Sequence, residues 1–262
     1  MNTSEYRLCA GREIHYMDWP AAGDAAARAT VLAWHGLART GRDMDPLAAH
    51  LAAAGYRVIC PDMLGRGLSQ WSPQPETEYS FAFYQRIAVD LADALDLASF
   101  AWIGTSMGGA LGIVCAAGPL AGRIGALVLN DIGPQIEPAA VERIRAYAGA
   151  PPVFDTMSEL EGYLRRIYAP FGPLTDAEWR RMAETSMRRT AEGRITLHYD
   201  PRTVLQFVHH PDDYARWADY DRIAAPTLCL RGESSDLLSA STAEAMRRRG
   251  PHATIATIAG CG

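Results

Sequence analysis

A serine with glycine two places away on either side, Gly104-Thr105-Ser106-Met107-Gly108, is the stretch of this 262-residue chain best suited to chemistry. A short apolar run, Phe100-Ala101-Trp102-Ile103, precedes it, and a small-residue, helix-compatible run from Ala110 to Ala117 follows Gly109. Strand, sharp turn, helix is the context that makes G-x-S-x-G a nucleophile elbow. A serine on so tight a turn holds strained backbone angles, and its neighbours two residues away must be small for strand and helix to approach. The turn exposes the hydroxyl at the end of the strand and at a helix N-terminus, where the macrodipole favours developing negative charge. A serine hydroxyl is a weak nucleophile, so it needs a general base, and the base needs a carboxylate to orient it. The expected chemistry is acyl transfer to Ser106 followed by attack of water.

Such a turn must be carried by a sheet, and the rest of the chain reads as one. Residues 6–19 alternate about Ala10-Gly11-Arg12, an antiparallel hairpin. Residues 21–29 are small and polar, a loop. Thr30 to Trp34 is a buried strand ending in His35-Gly36-Leu37. Asp43 to Ala54 reads as a helix, with Leu47 and Leu51 four apart, and Tyr56 to Cys60 as the next strand. That strand runs into Asp62-Met63-Leu64-Gly65-Arg66-Gly67-Leu68-Ser69, where glycines supply positive φ and Asp62 and Ser69 can bond the loop's own backbone. After a surface loop over 71–75, a helix is predicted from Phe81 to Leu95. Beyond the elbow, Ala126 to Leu129 is a strand ending at Asn130-Asp131. From Glu137 to about Tyr220 the segments are helical, rich in arginine and aromatics and broken by prolines, with no strand pattern. Pro226 to Leu230 is again a strand, ending in Arg231-Gly232-Glu233-Ser234-Ser235-Asp236. A helix over 241–249 and a strand from Ala253 to Ile258 follow. The alternation predicts an α/β fold, a mainly parallel sheet with helices on both faces.

The elbow, the His35-Gly36 pair, the D-x-x-G-x-G-x-S loop and the Arg231 to Asp236 stretch together resemble the α/β-hydrolase superfamily over essentially the whole chain. The resemblance implies an α/β-hydrolase fold with a core over residues 1–134 and 220–262 and an inserted helical cap over 135–219. It implies that the His35-Gly36 pair opens an oxyanion loop, with the N–H groups of Leu37 and Met107 facing the nucleophile, and that His35 itself is a structural hydrogen-bonder. The family order of serine, acid, histidine makes Asp236 the acid. Asp131, which also ends a core strand, is the competitor, and Glu233 ranks third. The substrate class implied is a small carboxylic ester or lactone. The alternatives are a C–C bond hydrolase of vinylogous diketones using the same triad, and a ligand-binding pseudoenzyme without a working one. Ser106 argues against the dehalogenases and epoxide hydrolases of this fold that use an aspartate in its place.

Family members carry the catalytic histidine just after the final strand. Here that loop is Ala259-Gly260-Cys261-Gly262; of the seven histidines, His15 and His50 belong to early core elements with no route to Ser106, and the alternative to a histidine after the final strand is one of His198, His209 and His210, which lie in the cap and could reach down. His252 precedes the last strand, whose six residues at about 3.3 Å each put it roughly 20 Å from Ser106. The expectation is that residues just beyond Gly262 supply the histidine, together with the closing helix that the second part of the core lacks.

Composition narrows the field further. All 25 Lys+Arg positions are arginine, which excludes a lysine Schiff base, lysine-bound pyridoxal phosphate and a P-loop lysine. No G-x-G-x-x-G is present, and no cofactor is implied. A net charge of -5 gives no reason to expect nucleic acid or an anionic membrane as partner. No run reaches the roughly 18 apolar residues of a membrane span. The first residues show no basic and apolar signal pattern, so the expected location is cytoplasmic. The oligomeric state stays open. The five cysteines form no metal spacing; Cys60, Cys115 and Cys229 read as buried, and Cys261 lies in the final loop. His209-His210-Pro211-Asp212-Asp213 reads as a solvated turn and no metal is expected. Arg39 and Arg42 read as solvated surface arginines. Tyr168, Phe171, Phe207 and Trp217 are expected to include acyl-pocket contacts, while most cap aromatics pack the cap itself.

Overall fold

The computed structural model describes residues 2–23 and 27–262. Of the loop expected over 21–29, residues 24–26 therefore lie outside the described residues. Strands β1 (Thr3–Cys9) and β2 (Arg12–Trp19) form the hairpin, paired from Thr3 opposite Asp18 to Cys9 opposite Arg12. Its two turn residues, Ala10 and Gly11, both have positive φ, which matches the twist of the flanking strands. Then come β3 (Thr30–Trp34), β4 (Arg57–Pro61), β5 (Phe100–Thr105) and β6 (Ile124–Asn130). Three short strands, β7 (Val153–Phe154), β8 (Met187–Arg189) and β9 (Ile195–Leu197), precede β10 (Thr227–Gly232) and β11 (Thr254–Ile258).

Eight of these strands make one sheet in the order β1-β2-β4-β3-β5-β6-β10-β11. The pairs on either side of β2 are antiparallel; the others are parallel. The order reverses between β3 and β5: the chain leaves β3 toward one edge and β5 toward the other. A crevice opens at such a switch point, at the C-terminal ends of the two strands. The turns after β3 and β5 are the two the sequence marks for chemistry.

Burial explains why these strands are central. Val31 to Trp34 and Val58 to Pro61 are buried without alternation, as strands covered on both faces must be. Helix Phe81–Ala94 starts at Ser80, whose hydroxyl accepts from the Phe83 N–H, and buries Phe81, Tyr84, Ile87, Ala88 and Leu91 at helical spacing. Helix Met107–Ala116 is buried on nearly every side, which its glycines and alanines permit. Trp34 of β3 and Trp102 of β5 stack with ring centroids 5.0 Å apart, and the Trp102 indole N–H donates to the Gly108 carbonyl at 2.9 Å. An aromatic pair of this kind contributes about 1 kcal/mol beyond its buried area. It fixes the two strands and the helix that present Ser106.

Between β6 and β10 the chain forms helices Pro138–Ala148, Met157–Ile167 and Asp176–Ser186. The last two start on capping boxes, Thr156 with Glu159 and Thr175 with Glu178. The expectation of a strandless segment is wrong here. β7, β9 and β8 form a three-stranded antiparallel sheet, with β9 buried in the middle. Strands of two and three residues are too short for period-two alternation to show. The solvated turn expected at 209–213 also needs correction. Asp213 is buried, accepting from the Phe81 N–H, the Gln206 amide and Arg216. Among the described residues no helix is long and apolar enough to cross a membrane, and no group of three or more His, Cys, Asp or Glu side chains is placed to hold a metal ion.

Candidate active site

Ser106 stands between β5 and helix Met107–Ala116 with φ +51° and ψ -119°. A non-glycine residue there is strained, and the surrounding structure must hold it in place. Its N–H donates to Asn130 O at 3.0 Å, and its carbonyl accepts from the Gly109 and Ala110 N–H groups. The flanking glycines are required sterically. A Cβ on Gly108 would lie 2.6 Å from Trp34 O and 2.8 Å from His35 O, and one on Gly104 would collide with the Gly108 backbone. Among the described residues the Ser106 hydroxyl makes no hydrogen bond.

Leu37 and Met107, from the turns after β3 and β5, are both buried, and among the described residues neither N–H finds an acceptor. Buried, unpaired backbone donors are uncommon. His35 fixes the first of these turns. One ring nitrogen, Nδ1, lies 2.6 Å from Gly36 O, so it carries the proton, and Nε2 accepts the Met63 N–H at 2.9 Å. Burial lowers the imidazole pKa, outweighing the opposing charge of Asp62. A histidine with a depressed folded pKa stabilises the fold above its unfolded value near 6.5, and that contribution is lost as pH falls through the folded pKa. We therefore expect the thermal midpoint to drop more between pH 8 and pH 5 in the wild type than in His35→Asn. Equal drops would mean that His35 is not the source. His198, shifted down by burial as well, is present in both proteins.

The loop after β4 carries a feature the sequence reading did not single out. Arg66 is fully buried, and among the described residues no carboxylate pairs with it. Its Nε donates to Leu37 O at 2.8 Å, Nη1 to Leu64 O and the Tyr84 hydroxyl at 2.7 Å each, and Nη2 reaches Met107 Sδ at 3.4 Å. One guanidinium thus ties together the two residues whose N–H groups are unpaired. Asp62 holds the same loop, accepting from the Gly41 and Leu68 N–H groups and from His15.

Two carboxylates compete for the role of acid, and the structure gives them different surroundings. Asp131 follows β6 with φ +51°. Its oxygens accept from the Gly232 N–H at 3.3 Å and the Ser235 hydroxyl at 2.9 Å, so it braces the turn after β10. Burial raises its pKa against the pull of these two bonds. Asp236, on the braced turn, is exposed and pairs with Arg143 of helix Pro138–Ala148 at 2.7 Å. An exposed pair is worth under about 1 kcal/mol and does not lock the carboxylate. Glu233 accepts from the Gly260 N–H at 3.2 Å. No histidine hydrogen-bonds Ser106, Asp131 or Asp236 among the described residues. His15 binds Ser4 and Asp62, His210 binds Glu76 O, and His252 binds Arg247 O.

A narrow cavity of about 10 Å³ touches Ser106, Leu37, Ile132, Ile136, Ile144, Phe207, Tyr214 and Leu237. It has room for about one water molecule, so a larger ligand must part side chains such as Ile144, Phe207 and Tyr214. Ile132 and Leu237 each adjoin one of the competing aspartates. Of the four aromatics singled out in the sequence, only Phe207 lines this cavity. Phe171 is exposed, Trp217 donates to Gln135, and Tyr168 is buried against Arg39. Arg39 corrects a further expectation. It is buried, with Asp43 bonded to its Nε and Nη2 at 2.6 Å each, whereas Arg42 is partly exposed. Its burial depends on partners in the inserted segment, which local sequence does not disclose.

The chain's relatives bear on this site. The model of the alpha/beta hydrolase fold family matches residues 29–262. A 3-hydroxybutyrate-oligomer hydrolase of Cupriavidus necator is 37% identical over 249 residues, covering 91% of this chain and 84% of the relative. A 2-(acetamidomethylene)succinate hydrolase of Mesorhizobium japonicum is 26% identical, covering 88% and 80%. The crystal structure of an alpha/beta hydrolase from Novosphingobium aromaticivorans superposes with a TM-score of 0.85 at 33% identity, covering all of this chain and 91% of that one. Sheet order, family model and relatives agree: the chain belongs to the family of α/β-hydrolase-fold enzymes.

Proposed function

We propose that this enzyme is a serine hydrolase that cleaves a small carboxylic ester or lactone through an acyl-enzyme on Ser106. The observation that carries the reading is the meeting, at the switch point of the sheet, of a strained serine with two buried N–H groups that have no acceptor. Ser106 Oγ attacks the acyl carbon. The Leu37 and Met107 N–H groups receive the oxyanion, each such donor contributing about 3–4 kcal/mol to the transition state in comparable enzymes. A general base takes the Oγ proton during the attack and gives it to the departing alcohol, and water, deprotonated by the same base, then releases the acid. Asp236 is the acid of the triad, because Asp131 is committed to bracing the Asp236 turn. The general base is assigned to none of the seven histidines. Residues 135–219 act as a cap over a core formed by 1–134 and 220–262. A cytoplasmic location and a small acyl substrate complete the reading.

The Cupriavidus relative supports the ester reading, since oligomers of 3-hydroxybutyrate are joined through ester bonds. Steady turnover of p-nitrophenyl esters and of a 3-hydroxybutyrate dimer is the expected result. Ester inertness combined with cleavage of a vinylogous diketone would favour the C–C reading instead. Arg66 tests the oxyanion geometry. Arg66→Met keeps the bulk but frees Leu37 O and Met107, so kcat should fall by up to about 10²-fold with KM little changed. Wild-type kcat in a folded Arg66→Met protein would remove Arg66 from this role.

A further inference from the structure

Strand β1 ends the main sheet: β2 pairs with one side of it, and among the described residues no strand pairs with the other. The register fixes which main-chain groups face outward. Cys9 and Arg12 flank a two-residue turn, which makes them a hydrogen-bonded pair, and such pairs recur at every second residue. Thr3, Glu5, Arg7 and Cys9 therefore bond to β2, and the N–H and C=O groups of Ser4, Tyr6 and Leu8 point away from it. The far side of β2 agrees, because the Glu13 and His15 carbonyls turn from β1 to accept from the Gln70 and Asp62 N–H groups. Among the described residues the only group bonded to the outer edge of β1 is the Arg7 side chain, whose Nη1 donates to Tyr6 O at 2.8 Å. Tyr6 and Leu8 are 43% and 73% exposed. Glu5 and Arg7 form no ion pair among the described residues. A strand edge left open in this way is a template for another strand.

We propose that β1 is the two-fold interface of a homodimer, pairing antiparallel with β1 of a second copy about Tyr6. This register sets Tyr6 opposite Tyr6 and Ser4 opposite Leu8. These are the residues whose groups face outward, so each such pair exchanges both main-chain bonds. Between them Glu5 stands opposite Arg7, twice by symmetry, at the pairs where facing side chains are closest. Opposite charges stabilise such a pair and like charges destabilise it. Sliding the strands by two residues either way keeps the bonding pattern but sets Glu5 against Glu5 or Arg7 against Arg7. The charges thus select the register about Tyr6, and the strand is complementary to itself, as an isologous contact requires. Arg7 releases Tyr6 O to the Tyr6 N–H of the second copy and turns to its Glu5. Leu8 lies diagonal to Tyr6 of the second copy, within reach of the ring. The two sheets become one, and neither copy keeps an open edge at β1. The Ser106 crevice lies inward of β2 and β4 and is untouched.

Sedimentation velocity of the intact chain from about 1 to 100 µM, the affinity range suited to a small interface, should show association to a dimer. Glu5→Arg and Arg7→Glu each set like charges opposite, and each should raise the dimer Kd at least about 10-fold. The double exchange Glu5→Arg/Arg7→Glu should restore it, which loss of a merely structural contact does not predict. Tyr6→Cys in a Cys261→Ser background should form a covalent dimer on oxidation. The Cα atoms of a hydrogen-bonded pair stand about 5.5 Å apart, within disulfide reach. Leu8→Cys in the same background should not, because its counterpart is displaced by four residues, about 13 Å. Cross-linking needs no charge, so it decides if circular dichroism shows a charge variant unfolded. A chain monomeric throughout the range, a Kd unmoved in folded single exchanges, or cross-linking at position 8 in place of 6 overturns the proposal. None of these measurements uses a substrate, so the result stands apart from the catalytic reading.

Discussion

Ser106→Ala should abolish hydrolysis, with a loss of about 10⁶-fold in kcat, and should leave the fold intact. Among the described residues the hydroxyl makes no hydrogen bond that alanine would forfeit, and the backbone bond from residue 106 to Asn130 O is unaffected. Alanine at φ +51° is strained no more than serine. The glycines that admit the turn, Gly104 and Gly108, are untouched. The two quantities to measure are therefore kcat on an ester and the thermal midpoint. An alanine variant that kept more than a small fraction of activity would show that another group attacks.

The second large effect separates the two aspartates. Asp236→Asn should cost about 10⁴-fold in kcat, the loss seen in serine proteases when the acid can no longer hold the imidazole in the right tautomer. Asp131→Asn should cost far less, because an amide oxygen still accepts from the Gly232 N–H or the Ser235 hydroxyl, and bracing the turn needs no charge. The pairing of Asp236 with Arg143 is exposed and weak, so it yields to a stronger partner. The reverse ranking in a kinetic assay would move the acid to Asp131.

The strands of the main sheet were legible because each is five or more residues long and either alternates or is apolar throughout. The pairing order was not legible, because local sequence shows that a strand exists and not which neighbours it takes. The position of Ser106 at the end of β5 was legible because glycines two residues away have a steric cause that local sequence carries. What could not be read locally was decided by partners distant in the chain. Arg66 gains its role from Leu37, Tyr84 and Met107, and a G-R-G tripeptide reads as any turn. Arg39 is buried by Tyr168 and neighbouring residues of the inserted segment, more than a hundred positions away. Asp213 is buried because the Phe81 N–H, at a helix start on the other side of the elbow, needs an acceptor. The small sheet β7-β9-β8 escaped because strands of two and three residues leave no pattern.

Labelling of the intact protein with a fluorophosphonate, followed by peptide mass spectrometry, tests the central assignment most directly. Such probes phosphorylate a serine only when it is activated and an oxyanion site receives the phosphoryl oxygen. The expected result is a single adduct on the peptide that contains Ser106, absent from Ser106→Ala. Ester turnover with no adduct at Ser106, or an adduct on a different serine, would contradict the account.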